Sequence, residues 1–227
     1  YSVDGSKLHF LRESAGQWHI MRGTVSGGGA ASILSGNRLL ADLDLPADAN
    51  MVASVENTFF NGVCTPMDPL LMTLNPNARV ASRGNVVADA IAVSPDRRWL
   101  AYTHRIYCDA VGSVLLTSNH VCLLDTLAGP AATPVCQDSA NVLGVDFGGS
   151  GNVIVFSADY SGQNEIWRAS VTQAGQLVNF TQLTRGSAGQ PSSYPRVSSD
   201  GSWVIFSRDV DAGPGENLQA HVVRRDG

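Results

Sequence analysis

Ser198-Ser199-Asp200-Gly201-Ser202-Trp203-Val204-Ile205-Phe206-Ser207 is a turn sequence followed at once by a short, nearly all-apolar run. Asp and Gly tolerate the positive φ angles that tight hairpin turns require. A continuous apolar run of this length is typical of a strand that is covered on both faces. The same pattern recurs along the chain 44 to 54 residues apart, with its turn residue at Asp4, Asp48, Asp96, Ser150 and Asp200. A period of this size indicates stacked supersecondary units.

The repeating unit has four predicted strands, which we label A to D. In the last unit, strand A covers residues 194–197, strand B residues 203–207 and strand C residues 220–224. Strand D is best seen in the preceding unit, where residues 180–184 follow a strand C at 165–171. The other predicted C strands are residues 18–25, 70–74 and 121–125, and the other D strands are residues 31–34, 78–82 and 133–137.

This arrangement predicts an all-β fold, a β-propeller. Four antiparallel strands in roughly 45–50 residues are typical of one propeller blade. A blade buries both faces of its sheet only against neighbouring blades, so the array is expected to form a ring. No apolar stripe with a helical period is present, so helix should cover less than about 5% of the chain. Residues 1–227 then form a single propeller domain with about five visible blades. The ring is either closed by segments outside this chain or belongs to a larger ring of six or more blades.

The composition argues against two kinds of partner. The formal net charge is −5 and no basic run is present, whereas phosphate binding needs clustered Lys and Arg. No apolar stretch approaches the ~20 residues that span a bilayer. We therefore expect neither a nucleic-acid partner nor a membrane span. The first residue is Tyr1, so the chain is expected to be processed or excerpted, and its oligomeric state is left open.

Several motifs resemble those of TolB-like (WD-repeat-like) β-propellers. They are Gln182-Leu183-Thr184-Arg185-Gly186, then Tyr194-Pro195, Ser199-Asp200-Gly201 and Phe206-Ser207-Arg208-Asp209. Residues 156–167 resemble the hairpin between strands B and C of that repeat. The resemblance is strong from Val86 onward and weak over residues 26–82, and Arg196-Val197 stands where the family usually has an aromatic residue. It implies a propeller, usually of six blades, in an exported protein that docks other proteins. Similar propellers also belong to prolyl-oligopeptidase-type peptidases and polysaccharide lyases.

The four cysteines predict two disulfides. Cys122 lies in a C strand and Cys136 in the next D strand, with Gly129-Pro130 midway, so antiparallel pairing places the two opposite each other. Cys64 and Cys108 lie in the predicted B–C loops of adjacent blades and form the second predicted pair. Two disulfides would indicate a periplasmic or extracellular protein. The alternative is four buried, reduced thiols.

One aligned position in the five units is mostly polar. Just beyond strand B, nine residues after the aligned turn residue of each unit, lie Glu13, Asn57, Arg105, Asp159 and Asp209. Equivalent positions share one face of a propeller, so these side chains could form a ring that binds a cation or a basic ligand. The alternative is that each side chain accepts hydrogen bonds from the backbone of its own loop, as Asp and Asn commonly do.

The long B–C insertions, residues 56–69 and 104–114, predict the contact surface for a protein partner. They carry Phe59, Phe60 and Tyr107, with His104 and Arg105 at the start of the second insertion. Exposed aromatic residues favour interfaces, and an acidic rim favours a basic partner. The alternative for Phe59 and Phe60 is that they fill the gap beside the irregular second blade.

The sequence favours a non-enzymatic binding scaffold. No G-x-S-x-G nucleophile motif is present, and His104 beside Arg105 is the nearest approach to a lyase-like cluster. The alternative function is the propeller portion of a polysaccharide lyase or a prolyl-oligopeptidase-type peptidase. We expect no cofactor. Calcium is a weaker alternative, because Asp209, Asp211 and Glu216 lie in one short segment.

Overall fold

The fold is described from a computed structural model of the chain. It describes residues 7–14, 17–36, 40–44, 51–57, 67–74, 77–82, 86–108, 114–129, 132–138, 142–149, 151–211 and 217–227. These residues form eighteen strands: β1 Lys7–Ser14, β2 Gln17–Thr24, β3 Ala31–Gly36, β4 Leu40–Asp44, β5 Met51–Asn57, β6 Met67–Leu74, β7 Asn77–Ser82, β8 Val86–Val93, β9 Trp99–Cys108, β10 Val114–Asp125, β11 Val135–Asp138, β12 Val145–Phe147, β13 Val153–Ala158, β14 Glu165–Val171, β15 Leu177–Gln182, β16 Ser192–Val197, β17 Trp203–Asp209 and β18 Leu218–Arg224.

The strands form five successive antiparallel units, as the repeat predicts. The second, third and fourth units have four strands in the order A-B-C-D: β4 to β7, β8 to β11 and β12 to β15. A single parallel pairing of Met67 with Val87 joins the second unit to the third. Within the described residues, the first unit has three strands, β1 to β3, and the fifth has β16 to β18. The prediction of four-stranded antiparallel propeller blades is confirmed.

The A strands lie at the inner edge of the array. β4 contacts β8, β8 contacts β12, and β12 contacts β16, although these strands belong to successive blades. Strand B is therefore second from the inside. The only helical segment of the described residues is the short 3₁₀ turn Thr126–Ala128, in agreement with the expected near absence of helix. None of the described helical residues forms a helix long and apolar enough to cross a membrane.

Two apolar layers hold the last three blades together. The first lies between the third and fourth blades and includes Trp99 and Leu123 on one side and Ile154 and Phe156 on the other. The second lies between the fourth and fifth blades, where Val155 and Ile166 pack with Val204 and Phe206. The fourth blade thus buries alternate residues of its B strand against opposite neighbours, Ile154 and Phe156 on one side and Val155 on the other, which explains why this B strand is almost entirely apolar.

Several predicted element boundaries are wrong: strand C of the third blade runs over Val114–Asp125 rather than 121–125, and strand C of the second begins at Met67 rather than at residue 70. Strand D of the fourth blade runs over Leu177–Gln182 rather than 180–184, because a tight turn at Gly175 closes its hairpin early: the Gly175 N–H donates to the Thr172 carbonyl. Strand β9 continues to Cys108, so His104 and the next four residues belong to a strand and not to a loop. Pairing with β8 on one side and β10 on the other extends β9 beyond its apolar segment.

Candidate partner-binding face

The B–C hairpin of the fourth blade is the best described part of the predicted contact face. It connects β13 to β14 through residues 159–164. The Gly162 N–H donates to the carbonyl of Asp159 at 2.9 Å. Gly162 has a φ of +95°, a conformation that a side chain would strain. This tight turn places Tyr160 at its outer tip.

Tyr160 is the centre of an aromatic cluster formed with Phe156, Trp167 and Phe180. Its ring makes edge-to-face contacts with Trp167 at 5.3 Å and with Phe180 at 6.0 Å between centroids. Phe156 lies below and is fully buried, while Tyr160 and Phe180 are 41% and 39% exposed. Edge-to-face geometry fixes the rings relative to one another. The cluster therefore presents a rigid, half-exposed aromatic surface beside the loop.

Sequence reasoning did not select Tyr160 or Phe180 as site residues. Tyr160 lies in the predicted hairpin, residues 156–167, and Phe180 in the predicted strand D, residues 180–184; the cluster forms because β13, β14 and β15 are adjacent in the sheet. The signal that could have found it is the position of one aromatic residue on each strand, with a further one in the turn between two of them. Residues that are neighbours across a sheet can be identified from sequence only when the strand register is known, whereas residues on one helix face follow from their spacing.

Glu165, the first residue of β14, is buried directly beneath this hairpin. Its Oε1 accepts hydrogen bonds from the Gly186 N–H at 2.5 Å and from Gln163 Nε2 at 2.8 Å. Its Oε2 accepts from Thr184 Oγ1 at 2.5 Å and from Ser192 Oγ at 3.1 Å. Both oxygens are thus satisfied inside the protein. This is the condition under which a buried carboxylate is tolerated.

The Glu165 carboxylate also connects two blades. Ser192 and Arg208 belong to the fifth blade, and Arg208 Nη2 lies 3.6 Å from Oε2 of Glu165. Arg208 in turn donates from Nε and Nη2 to Ser192 Oγ, at 3.1 and 2.9 Å. Gln163 extends the network into the next loop, because its Nε2 also donates to the carbonyls of Gly186 and Ser187. The network therefore fixes the B–C hairpin against the segment that leads into the fifth blade.

The hydrogen bonds determine the charge state of Glu165. Burial by itself would raise the pKa of the carboxyl. The donors Thr184, Gln163, the Gly186 N–H and Ser192 together outweigh burial and hold its pKa below the ordinary value of 4.5. Glu165 is therefore an anion at neutral pH, and its negative charge is part of the folded structure.

Lowering the pH should reduce the stability of the folded protein, because it protonates Glu165. A carboxyl whose pKa is depressed on folding contributes stability above its unfolded pKa, and that contribution is lost as the pH falls through the folded value. We expect the urea midpoint of the wild-type protein to fall as the pH is lowered from about 6 to about 3. Glu165→Gln cannot titrate at this position, so its midpoint should be lower at pH 6 and should fall less steeply. If the urea midpoints of the two proteins fell equally with pH, this role of the Glu165 carboxylate would be contradicted.

The members of the predicted polar ring differ in their hydrogen bonds. Asp209 ends β17, and its Oδ1 accepts from the backbone N–H groups of Asp211 and Asn217, both at 3.1 Å. Asp209 thus follows the alternative prediction, in which the side chain accepts hydrogen bonds from the backbone of its own loop. For Asp159 the outcome is different: within the described part of the chain, nothing donates a hydrogen bond to its buried Oδ1. Glu13 lies within β1, and Asn57 ends β5. A ring that binds a ligand stays a prediction.

The residues predicted for the second insertion lie in β9. In backbone register His104 faces His120 of β10 and Ala88 of β8, and Tyr107 faces Leu116 and Val86. Arg105 lies between them in the same strand. Their predicted location in a loop is therefore wrong, because both neighbouring strands extend β9. Phe59 and Phe60 lie outside the described residues, and their role stays a prediction.

The disulfide between Cys122 and Cys136 is confirmed. The two residues face each other in the register of β10 and β11, with their Cα atoms 4.0 Å apart. Cys64 lies outside the described residues, so its pairing with Cys108 is untested. The described residues contain no group of three or more His, Cys, Asp or Glu side chains placed to hold a metal. Residues 212–216 of the proposed calcium segment are not among those described.

Comparisons with known proteins connect this architecture to solved propellers. No protein-family model matches the chain, and no curated protein does. A structure described as putative TolB from Agrobacterium tumefaciens is similar over 100% of this chain and 76% of its own, with a TM-score of 0.72 and 18% identity. TolB from Acinetobacter baumannii is similar over 98% of this chain, with a TM-score of 0.65 and 16% identity.

A third similar structure is the β-propeller domain of the Trilobed protease from Pyrococcus furiosus, with a TM-score of 0.54 and 12% identity over 84% of this chain. The chain spans about half the length of the Acinetobacter and Pyrococcus structures, 51% and 55%. At these identities the similarity concerns the fold, and folds host many functions. This chain has the fold of the TolB-like β-propellers.

Proposed function

We propose that this chain is a non-enzymatic binding scaffold of an exported protein and that it engages a protein partner through the face that carries its B–C loops. Its fold supports this at a coarse level, since a propeller is a rigid array that presents loops on two faces. Two of the structures that share the fold are described as TolB or putative TolB.

The observation that carries the proposal is the aromatic cluster around Tyr160. Tyr160 and Phe180 are exposed although they are held rigidly by ring contacts. Tyr and Phe are enriched at interfaces, and a rigid aromatic residue loses little conformational entropy on binding. The fixed Glu165 network beneath the hairpin holds the surface in place without a partner, which lowers the cost of association. Phe59, Phe60 and Tyr107 belong to the same proposed surface.

The partner should carry basic residues. The formal net charge of this chain is −5, and Asp159 lies beside Tyr160 on the proposed surface, with Asp209 and Asp211 at the B–C end of the fifth blade. Charge complementarity at the edge of an interface mainly raises the association rate, and salt reduces this effect. Binding should therefore become slower, rather than dissociation faster, as the ionic strength is raised.

Tyr160→Ser tests the proposal directly. We expect it to weaken binding of a partner captured from a native extract and identified by mass spectrometry by about tenfold or more, since interface Tyr residues often contribute over 1 kcal/mol. The measurement is a titration of purified partner by interferometry. The matched control is Leu127→Ser. Leu127 is exposed, but it follows strand C of the third blade and therefore lies at the end of the blades opposite to the B–C loops. Equal affinities of both variants for the partner would contradict the proposed face.

Export to an oxidising compartment, periplasmic or extracellular, is proposed on the basis of the Cys122–Cys136 disulfide, since such bonds persist where thiols are not kept reduced. The alternative function, the propeller portion of an enzyme, has one supporting observation. The Pyrococcus structure that shares this fold is described as the propeller domain of a protease. Assay of the complete natural protein for peptidase and lyase activity distinguishes the two functions.

A further inference from the structure

The outermost strand of the third blade, β11, has an open edge. In the part of the chain that the structure describes, β11 pairs with β10 on one side and with no strand on the other. The pairing with β10 is regular, because its four residue pairs, from His120–Asp138 to Leu123–Val135, follow one another without a shift. A regular open edge can pair with a strand from another polypeptide.

The other described D strands are protected against such pairing by bulges. β3, β7 and β15 each have a register shift against their C strand, and in each case the extra residue lies in the D strand. In β15 the shift lies between Val178 and Thr181, where Asn179 has a φ of +57°. A bulge bends an edge strand and disrupts its row of hydrogen-bonding groups. Among the four described D strands, β11 alone has a regular edge.

The backbone groups that face this edge follow from two observations. The Thr126 N–H donates to the Arg98 carbonyl, and since bonded pairs alternate along antiparallel strands, Cys122 also bonds to β9 and not to β11. The Cα atoms of Cys122 and Cys136 are 4.0 Å apart, closer to the ~4.5 Å of a non-hydrogen-bonded pair than to the ~5.5 Å of a bonded pair. The N–H and C=O of Cys136 therefore point toward the open edge, as do those of Asp138, two residues further along the strand.

A groove of about 240 Å³ lies beside the edge. Residues 135–137 of β11 form one side of it, and residues 175–178 of the fourth blade, where the C–D turn leads into β15, form the other. Val135 is 39% exposed, and its Cγ2 lies 3.5 Å from the position that a Cβ of Gly175 would take. A strand paired with β11 would lie about 4.8 Å from it, so that its alternate side chains would enter the groove. None of the residues that line the groove is charged.

The disulfide fixes the edge in place. β11 covers only four residues, but Cys136 in its centre is bonded to Cys122, which is fully buried in the core of the third blade. The backbone groups of Cys136 are therefore held in position before any partner binds. A binding surface that is already ordered loses little conformational entropy on association.

We propose that β11 binds an extended, uncharged segment of a partner protein, which pairs with it as a fifth strand of the third blade. The backbone of the segment bonds to the outward N–H and C=O groups of Cys136 and Asp138. Aliphatic side chains at alternate positions of the segment enter the groove and contact Val135 and Val178. A charged side chain would lose its hydration there without gaining an ionic partner, which is why the segment is uncharged. This surface lies on the perimeter of the array, and the proposal does not depend on the face that carries the B–C loops.

A short peptide that alternates threonine and valine, blocked at both ends, is the probe, and the protein is the full natural protein. Residue-resolved hydrogen exchange followed by mass spectrometry should show slower exchange at Cys136 and Asp138 when the peptide is added. With valines in the groove, the threonine N–H groups face β11, so N-methylation of the threonines should weaken binding about tenfold or more. N-methylation of the valines is the matched control and should leave the affinity close to that of the unmethylated peptide. Equal affinities of the two methylated peptides would overturn the proposal.

Asp138→Pro gives a second test on the protein side. Proline removes an N–H that faces the open edge and no hydrogen bond to β10, so the unmethylated peptide should bind about tenfold more weakly or less tightly still. Asp138→Asn keeps this N–H, so it should bind the peptide much more tightly than the proline variant. Equal affinities of the two variants, or unchanged exchange at Cys136 in the presence of the peptide, would contradict the proposal. A dimer that forms without peptide and that Asp138→Pro dissociates would assign the edge to a second copy of the protein and overturn it. The methylated peptides are tested on the wild-type protein, so their result does not depend on the folding of a variant.

Discussion

Glu165→Ala is expected to lower the free energy of unfolding by about 3–5 kcal/mol, the range typical of breaking a buried ion pair by removing one partner. The substitution leaves Arg208 without its carboxylate, and it removes the acceptor of two buried hydroxyl groups, those of Thr184 and Ser192. Each buried polar group that loses its partner costs about 1–3 kcal/mol. The losses fall on both sides of the contact between the fourth and fifth blades, so this one residue affects two blades.

The measurement is equilibrium unfolding in urea at pH 7, followed by tryptophan fluorescence and by circular dichroism. Asp226→Ala is the control, because Asp226 also pairs with an arginine, Arg224, but in an exposed position. Its stability should match that of the wild type within error, as for most surface ion pairs. Glu165→Gln keeps the shape and two of the acceptor sites, so it should fall between the wild type and Glu165→Ala. A loss below about 1 kcal/mol for Glu165→Ala would show that the network contributes little.

The strands of this fold were predictable where local signals agree. Strand C of the fourth blade, Glu165–Val171, was predicted with both ends correct, because a turn sequence borders it on each side. The pairing of Cys122 with Cys136 followed from counting residues on either side of Gly129-Pro130, and the register confirms it. In both cases the information lies within about fifteen residues of sequence, where turn chemistry fixes register.

The end of β9 and the Glu165 network were not predictable in this way. His104 and Arg105 were predicted to begin a loop, but β8 and β10 supply backbone hydrogen-bond partners that continue the strand beyond them. The partners of Glu165 are 19, 21 and 27 residues away at Thr184, Gly186 and Ser192. Polar residues in loops are usually exposed to solvent, and only the stacking of two blades brings these together. Tertiary context determined both features.

Removal of the Cys122–Cys136 disulfide is expected to have the second large effect. The bond closes a loop with a sequence separation of 14, for which the chain-entropy estimate is about 3 kcal/mol. Cys122 is fully buried among Ile91, Leu100, Tyr102 and Leu124 in the layer on the other face of the third blade. Loss of the bond therefore increases the conformational entropy of the unfolded chain. It also weakens the packing around a core residue.

We expect Cys122→Ala/Cys136→Ala to lower Tm by about 6–12 °C, which corresponds to ~3 kcal/mol in a protein of this size. The double variant isolates this bond, whereas a reductant would act on every disulfide present. Differential scanning calorimetry under oxidising conditions gives the measurement, and the two single variants give the control: since either one removes the bond, their losses should resemble that of the double variant and should not add. If the double variant melts within about 2 °C of the wild type, the unfolded chain is not constrained by this bond and the stability of the third blade comes from its apolar layers alone.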